Sequence, residues 1–234
     1  MRMLVAALVM LACTGEALFA AQANIVNIQI KEKYSRLLVS VKLKGAFTDE
    51  IREAFTSGMP VTFTYLVNLN RNRSLLWDAS EKEIKVHKIV KYDSFTKEFK
   101  AMEMIADEPP KPEDFEKVFR MIKESNIAKL TSWISEGENE NWRRYLIIKD
   151  ILTLEKWVSS LVDIPIGRKA DYPLNKKYYV EVKAEMDTIK LKPPFNYIFF
   201  FVSFLDFDTA WETSSPFIIE RADMPIQKMV GQKN

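Results

Sequence analysis

The sequence of 234 residues is poor in cysteine, histidine and glycine, and its charges nearly cancel. The single cysteine, Cys13, lies close to the N-terminus, so the rest of the chain can form no disulfide, perform no thiol chemistry and bind no zinc through thiolates. The 34 basic and 32 acidic residues leave a formal net charge of +2. Because so small a charge gives no long-range field, it argues against nucleic acid and an anionic bilayer as partners.

Apolar residues are abundant. Hydrophobic residues make up 47% of the chain and aromatic residues 12%. A chain of this length removes roughly 70% of its unfolded surface from water on folding, so it needs no disulfide or metal to be stable. Disordered, collagen-like and disulfide-scaffold classes are excluded, and a globular protein is expected.

The first 23 residues have the pattern of a secretory signal peptide. Arg2 precedes an apolar run that ends at Cys13, and a stretch of small residues ends at Ala23. The run of about ten residues is too short for a membrane-spanning helix, so we expect cleavage after Ala23 and a mature protein that does not span the membrane. The expected location is the periplasm or another extracytoplasmic site. Anchoring through Cys13, or an uncleaved signal, is the alternative.

Alternating apolar residues predict a hairpin of two strands at residues 25–31 and 37–44. Thr48 is then the predicted N-cap of a helix of about three turns that ends at Gly58. The apolar face of this helix contains Ile51, Ala54 and Phe55.

Three further strands are predicted at residues 61–70, 83–92 and 98–104. The order of elements favours an α+β fold, mainly an antiparallel β-sheet or sandwich with a few short helices packed on it.

The second half begins with a proline-rich linker at 107–112 and a predicted helix at 112–124. Residues 144–149 fit a strand or the start of a helix. Residues 152–162 predict a helix with Thr153 as its N-cap.

Strand character returns at residues 177–191 and again at 210–219, ahead of a polar tail at 220–234. Between these strands, residues 195–207 form the densest aromatic segment of the chain. Periodicity alone leaves open whether this segment is a helix or a strand.

Three segments together carry a resemblance to known sequences: residues 57–63, then 91–93 followed by 97–99, and finally 179–185 leading into 199–204 and 206–211. They resemble an uncharacterised family of exported bacterial proteins known only as a domain of unknown function (domain of unknown function 4390). The resemblance implies a bacterial envelope location and supplies no activity and no catalytic residues.

The resemblance covers roughly residues 25–217. It departs at residues 107–142, which are longer than the corresponding segment of the family and are interpreted as an insertion. We therefore expect one α+β domain at 24–219, preceded by the signal peptide.

Catalytic patterns are sparse. His87, the only histidine, lies in a predicted strand, where we interpret it as a solvated side chain rather than a general base. Asp206, Asp208 and Glu212 could supply an acid and a base or part of a calcium site. No phosphate loop, metal-binding helix or nucleophile elbow is present, so no catalytic residue, metal or cofactor is predicted.

The aromatic segment is the stronger candidate for binding. If one face of it is exposed, it would hold a lipid or a partner protein, and the cationic strand end after Asn68 and Asn70 would contact a head group. Arg143 and Arg144 are candidates to extend that cationic surface. The predicted contact residues are Phe199, Phe201, Phe204, Arg71, Arg73 and Trp211.

The sequence therefore favours an exported cell-envelope protein, a non-enzymatic binding or assembly module for a lipid or protein partner. The alternative is a carboxylate-based hydrolase or transferase of the envelope.

Overall fold

The structure is a computed structural model that describes residues 23–73, 77–111, 115–117, 119–120, 143–188 and 207–220. Several predicted features lie outside these residues: the signal peptide up to residue 22, most of the insertion, the aromatic segment up to residue 206 and the tail from residue 221.

Strands dominate the described residues. In chain order the elements are β1 (Asn24–Lys33), β2 (Arg36–Lys44), α1 (Asp49–Thr56), β3 (Val61–Arg71), β4 (Ala79–Asp93), β5 (Glu98–Ile105), β6 (Arg143–Ile148), α2 (Ile151–Val158), β7 (Ser160–Arg168), a 3-10 turn (Lys169–Asp171), β8 (Lys177–Thr188), β9 (Phe207–Asp208), β10 (Glu212–Thr213) and β11 (Phe217–Ile218).

The strands form two sheets. The small sheet has the order β1-β2-β7, and the large sheet has the order β10-β8-β3-β4-β5-β6, with β9 and β11 also paired to β8. Every pairing is antiparallel. The predicted α+β class with mainly antiparallel sheet is confirmed.

The main core lies between the inward faces of the two sheets. Since successive strand residues point to opposite faces, alternate residues of β3 are buried together. They are Val61, Phe63, Tyr65, Val67 and Leu69, the face that the alternation predicts. A smaller cluster, Ile89, Met102, Met104, Phe115 and Phe119, lies on the other face of the large sheet.

Helix α1 forms where the sequence predicts it. The hydroxyl oxygen of Thr48 accepts a hydrogen bond from the backbone N–H of Ile51 at 3.4 Å. Phe55 stacks on Phe47 and Phe63 at ring-centroid distances of 5.8 and 5.9 Å. The helix has eight residues, so it is shorter than the three turns expected.

The prediction for residues 152–162 is wrong at both ends. Asp150, not Thr153, is the N-cap: its carboxylate accepts a hydrogen bond from the backbone N–H of Thr153 at 2.8 Å. The helix ends at Val158, and the following residues form β7 on β2. Pairing with an existing strand overrides the helical spacing, and the carbonyl of Ser159 already accepts a hydrogen bond from Leu43.

The predicted strand at 210–219 is also wrong in its continuity, because the structure has two short strands, β10 and β11, instead. Side chains interrupt the ladder: Val180 N–H donates to the Ser214 hydroxyl at 2.9 Å and Ala184 N–H donates to the Thr209 hydroxyl at 3.0 Å. Residues 144–149, left open between strand and helix, form most of strand β6.

Candidate functional site

The turn between β1 and β2 projects one aromatic ring from the end of the small sheet. Tyr34 and Ser35 have φ values of 51° and 60°, the left-handed pair of a tight hairpin turn. Tyr34 is 88% exposed. The end of β7 lies beside this turn, since Arg36 pairs with Arg168 and the N–H of Lys169 donates to the carbonyl of Ser35 at 2.9 Å.

The same end of the molecule carries the loop between β3 and β4. The chain passes from β7 to β8 through residues 169–176. In this connection the Tyr172 ring packs against the ring of Tyr178 on β8, with the ring centroids 6.2 Å apart. Tyr178 pairs with Arg71, and the N–H of Asn72 donates to the carbonyl of Lys177 at 2.9 Å. The β1–β2 turn and the β3–β4 loop therefore lie at one end of the two sheets.

Two more large apolar side chains are exposed at this end. Trp77, in the β3–β4 loop, is 93% exposed, and Ile218 is exposed on β11, where it pairs with Lys177. Together with the nearby cations they form a surface that we call the aromatic–cationic end. It consists of Lys33, Tyr34, Arg36, Arg73, Trp77, Lys176, Lys177 and Ile218.

Most acidic side chains near this surface have a partner, whereas Glu220, two residues after Ile218, is exposed and forms no ion pair among the described residues. The ion pairs are Arg71–Glu81 at 2.7 Å, Lys169–Glu32 at 2.8 Å and Arg168–Asp171 at 3.6 Å. Asp78 accepts hydrogen bonds from the Arg73 N–H and the Tyr179 hydroxyl, and these bonds lower the pKa of its carboxyl group.

The five cations of the aromatic–cationic end differ from these paired residues. Within the described part of the chain, no carboxylate forms an ion pair with any of them. The Lys33 ammonium lies 5.4 Å from the centre of the Tyr34 ring. The surface thus offers positive charge next to exposed aromatic rings.

The structure separates the contact residues proposed from the sequence. Arg73 belongs to the aromatic–cationic end, whereas the Arg71 side chain is half-buried and ion-paired with Glu81. Trp211 is exposed next to β10, which pairs with β8 at Val182, about 13 Å along the strand from Tyr178. Phe199, Phe201 and Phe204 lie outside the described residues.

The suggestion that Arg144 extends this cationic surface is wrong. Arg144 pairs across strands with Glu103, and Glu103 pairs with Lys88. Lys88 pairs with Phe63, eight residues along β3 from Arg71, or roughly 26 Å. Tyr34 and Trp77 were not predicted, because their exposure depends on which turns share one end of the sheets.

His87 is buried, not solvated as the sequence suggests. The ring Nε2 lies 3.1 Å from the carbonyl of Ala106 and must donate to it, so Nδ1 accepts from the Thr64 hydroxyl at 3.0 Å. Burial lowers the pKa of His87 and keeps the ring neutral. Both ring nitrogens are thereby satisfied, which makes this a structural histidine.

The carboxylates proposed for catalysis are not arranged as an acid and a base in the described residues. Asp208 forms an ion pair with Lys183 at 2.9 Å, and this contact lowers the pKa of Asp208. Lys183 also contacts Glu185 at 3.0 Å. Glu212 is exposed on β10, and Asp206 lies outside the described residues.

The most perturbed basic group is Lys88, which lies in the main core with its side chain 1% exposed. It forms an ion pair with Glu103 at 2.8 Å and donates to the carbonyls of Trp157, in the last turn of α2, and Ser160, the first residue of β7. Burial lowers the pKa of Lys88 to about 8. A substrate cannot reach a lysine enclosed in this way, so its role is to attach α2 to the large sheet.

A shallow groove lies at the opposite end of the large sheet, beside the β4–β5 turn. Its cavity volume is about 390 Å³, and Phe119, Ile147 and the ion-paired Asp93 and Lys100 are among the residues that line it. Among its charged groups, Asp93 pairs with Lys100 and Glu116 pairs with Lys91.

No helix in the described part of the chain is long and apolar enough to cross a membrane. No group of histidine, cysteine, aspartate and glutamate side chains there is placed to hold a metal ion.

Comparison with known proteins gives one match. A family model described as a domain of unknown function (DUF4390) matches residues 20–215. No curated protein and no solved structure matches.

Proposed function

The chain belongs to the family of the domain of unknown function DUF4390, and we propose that it is an exported bacterial cell-envelope protein that acts as a non-enzymatic binding or assembly module. The observation that carries this proposal is the aromatic–cationic end, where Tyr34 and Trp77 are exposed among five cations. Exposed aromatic rings beside unpaired charge are typical of a surface that a partner covers.

The hydrolase or transferase alternative has less support. It needs a carboxylic acid whose pKa is raised so that it can donate a proton near neutral pH. Asp208 has the opposite property, since its ion pair with Lys183 lowers its pKa. The exposed, ion-paired environment suits a surface contact and not proton transfer.

Cross-linking in cells tests the binding proposal. A photoreactive phenylalanine analogue replaces Trp77 in one protein and Phe95 in a matched control. Phe95 is 98% exposed, and β4, of 15 residues, separates the two positions by about 50 Å. We expect a discrete adduct, of a lipid or a protein, at position 77 only.

No adduct at position 77, or equal adducts at both positions, would contradict the proposal. Arg36→Gln in the position-77 protein supplies a second control, because a specific adduct should weaken when a neighbouring cation is removed.

Export is tested separately by the intact mass of the protein purified from its own cells. A chain that begins at Asn24 supports cleavage after Ala23. A chain that begins at Met1 would show that the signal is not cleaved. A mass increase that corresponds to a lipid attached to Cys13 would identify the anchored alternative.

A further inference from the structure

We infer that the partner of the aromatic–cationic end is the surface of an anionic phospholipid bilayer. This inference rests on the proposed binding function and names the chemistry of the partner. Its grounds are the kind of exposed side chains, their placement on separate segments and the charge around them.

The exposed rings project singly instead of forming a continuous patch. Tyr34 is at the tip of a turn of the small sheet, whereas Trp77 is in a loop of the large sheet. A stable protein interface usually buries about 800 Å² on each partner around an apolar centre. Isolated rings would need preformed pockets on a protein, but the head-group region of a bilayer deforms around each of them.

Tryptophan and tyrosine also match the chemistry of the membrane–water interface. Their rings enter the region between head groups and acyl chains while the indole N–H and the phenol hydroxyl stay hydrated. Ile218, exposed on β11 at the same end, adds an aliphatic contact. Three elements thus expose apolar groups at the same end of the two sheets.

The cations provide the charge complementarity. Lysine and arginine have long aliphatic stems that lie along apolar surface while the charged group contacts phosphate. Each one near an anionic leaflet favours binding by about fivefold at low salt. Five such side chains lie at the same end as the rings, and none of them forms an ion pair among the described residues, although Asp78 lies beside Arg73 and accepts a hydrogen bond from its backbone N–H.

Vesicle flotation with the full chain tests the inference. The vesicles are phosphatidylcholine alone, or phosphatidylcholine and phosphatidylglycerol in equal amounts. The double variant Arg36→Gln/Lys177→Gln removes two cations of the aromatic–cationic end. The control Lys44→Gln/Lys97→Gln removes two exposed lysines from the far end of β2 and from the β4–β5 turn.

We expect the wild-type protein and the control variant to bind the anionic vesicles equally and the test variant to bind about 30-fold more weakly at low salt. Binding should fall as salt is added, because screening shortens the range of the attraction. Any contribution of residues 1–23 is the same in each protein, so the ratio reports on the substituted residues.

A second pair of variants tests the rings. Trp77→Ala should weaken binding about tenfold, whereas Phe95→Ala should leave it unchanged. Since both side chains are almost fully exposed, neither change should alter folding, which circular dichroism checks.

Equal binding to neutral and anionic vesicles, or equal losses in the test and control variants, would overturn the inference. If no vesicle is bound but the in-cell adduct at position 77 is a protein, the bilayer inference fails and the proposed binding function stands. If neither vesicle nor adduct is found, both fail.

Discussion

Replacing Lys88 with methionine tests how the core holds α2 against the large sheet. The Lys88 ammonium has three oxygen partners: Glu103 and the carbonyls of Trp157 and Ser160. It also lies 4.4 Å from the centre of the Trp157 ring. The Trp157 carbonyl belongs to the last turn of α2, where backbone acceptors lack partners within the helix, and the Ser160 carbonyl belongs to the start of β7.

Lys88→Met should lower the free energy of unfolding at pH 7 by about 3–5 kcal/mol, the usual cost of removing one member of a buried ion pair. Among the described residues, Glu103 would then keep Arg144 as its one ion-pair partner, with the closest atoms at 3.9 Å. The double variant Lys88→Met/Glu103→Leu should regain much of the loss, because no buried charge is left unpaired.

The effect should depend on pH with a defined sign. Burial lowers the pKa of Lys88 to about 8 in the folded protein, against 10.5 ordinarily. Between these pH values the unfolded chain binds more protons than the folded one, so stability rises with pH. The wild-type advantage over Lys88→Met should therefore grow by up to about 3 kcal/mol between pH 8 and pH 10.5.

Urea unfolding followed by circular dichroism, from pH 7 to pH 10.5, measures both effects. Comparing the two proteins at each pH cancels titrations that they share. A constant difference would show that burial does not lower the pKa of Lys88. A difference that shrinks with pH would show that attraction to Glu103 outweighs desolvation.

Three further substitutions give separate checks by urea unfolding. Gly167→Ala should lower the free energy of unfolding by about 3 kcal/mol or more, because Gly167 has a φ of +141° and an added Cβ would lie 2.1 Å from the Tyr172 hydroxyl. Gly58→Ala should lower it by about 1–2 kcal/mol. Equal losses in the two variants would refute the steric argument. Asp150→Ala should lower the urea midpoint at pH 7, because the Asp150 carboxylate caps α2. Hydrogen bonds to Thr153 lower the pKa of Asp150 in the folded protein, so the difference between the two proteins should disappear as acid protonates this carboxylate. A difference that persists at low pH would show that the carboxylate is not the cap. Below pH 6.5 the histidine of the unfolded chain binds a proton, whereas the buried His87 ring stays neutral, so the free energy of unfolding of the wild-type protein should fall with pH. His87→Gln should remove this part of the pH dependence. An unchanged pH profile would contradict the lowered pKa of His87.

Local patterns predict the strands where side-chain alternation is regular. The alternating apolar residues of β3 identify a buried face that the structure confirms from Val61 to Leu69. The same holds for α1, since the Thr48 cap and the buried residues Ile51, Ala54 and Phe55 are encoded within ten residues. These elements depend on neighbours close in the chain, so periodicity is enough to find them.

The pattern fails where distant contacts compete with local ones. Residues 160–162 continue the helical spacing but belong to β7, which pairs with β2. The Thr209 and Ser214 hydroxyls accept hydrogen bonds from β8 amides that a continuous strand would use. His87 is polar and lies on a face with lysines, yet Thr64 and Ala106 make its burial favourable. No local signal specifies those partners.

The sequence by itself determined the class of the protein, an α+β chain with mainly antiparallel sheets, and excluded thiol chemistry beyond Cys13. It also determined that the net charge is only +2, and this small charge argued against an anionic surface as a partner. Only the tertiary structure decided that Tyr34, Trp77 and five cations share one end while most nearby carboxylates are paired or hydrogen-bonded. The physical reason is that composition sums charges over the whole chain, whereas a partner meets only those that the strand order places on one surface.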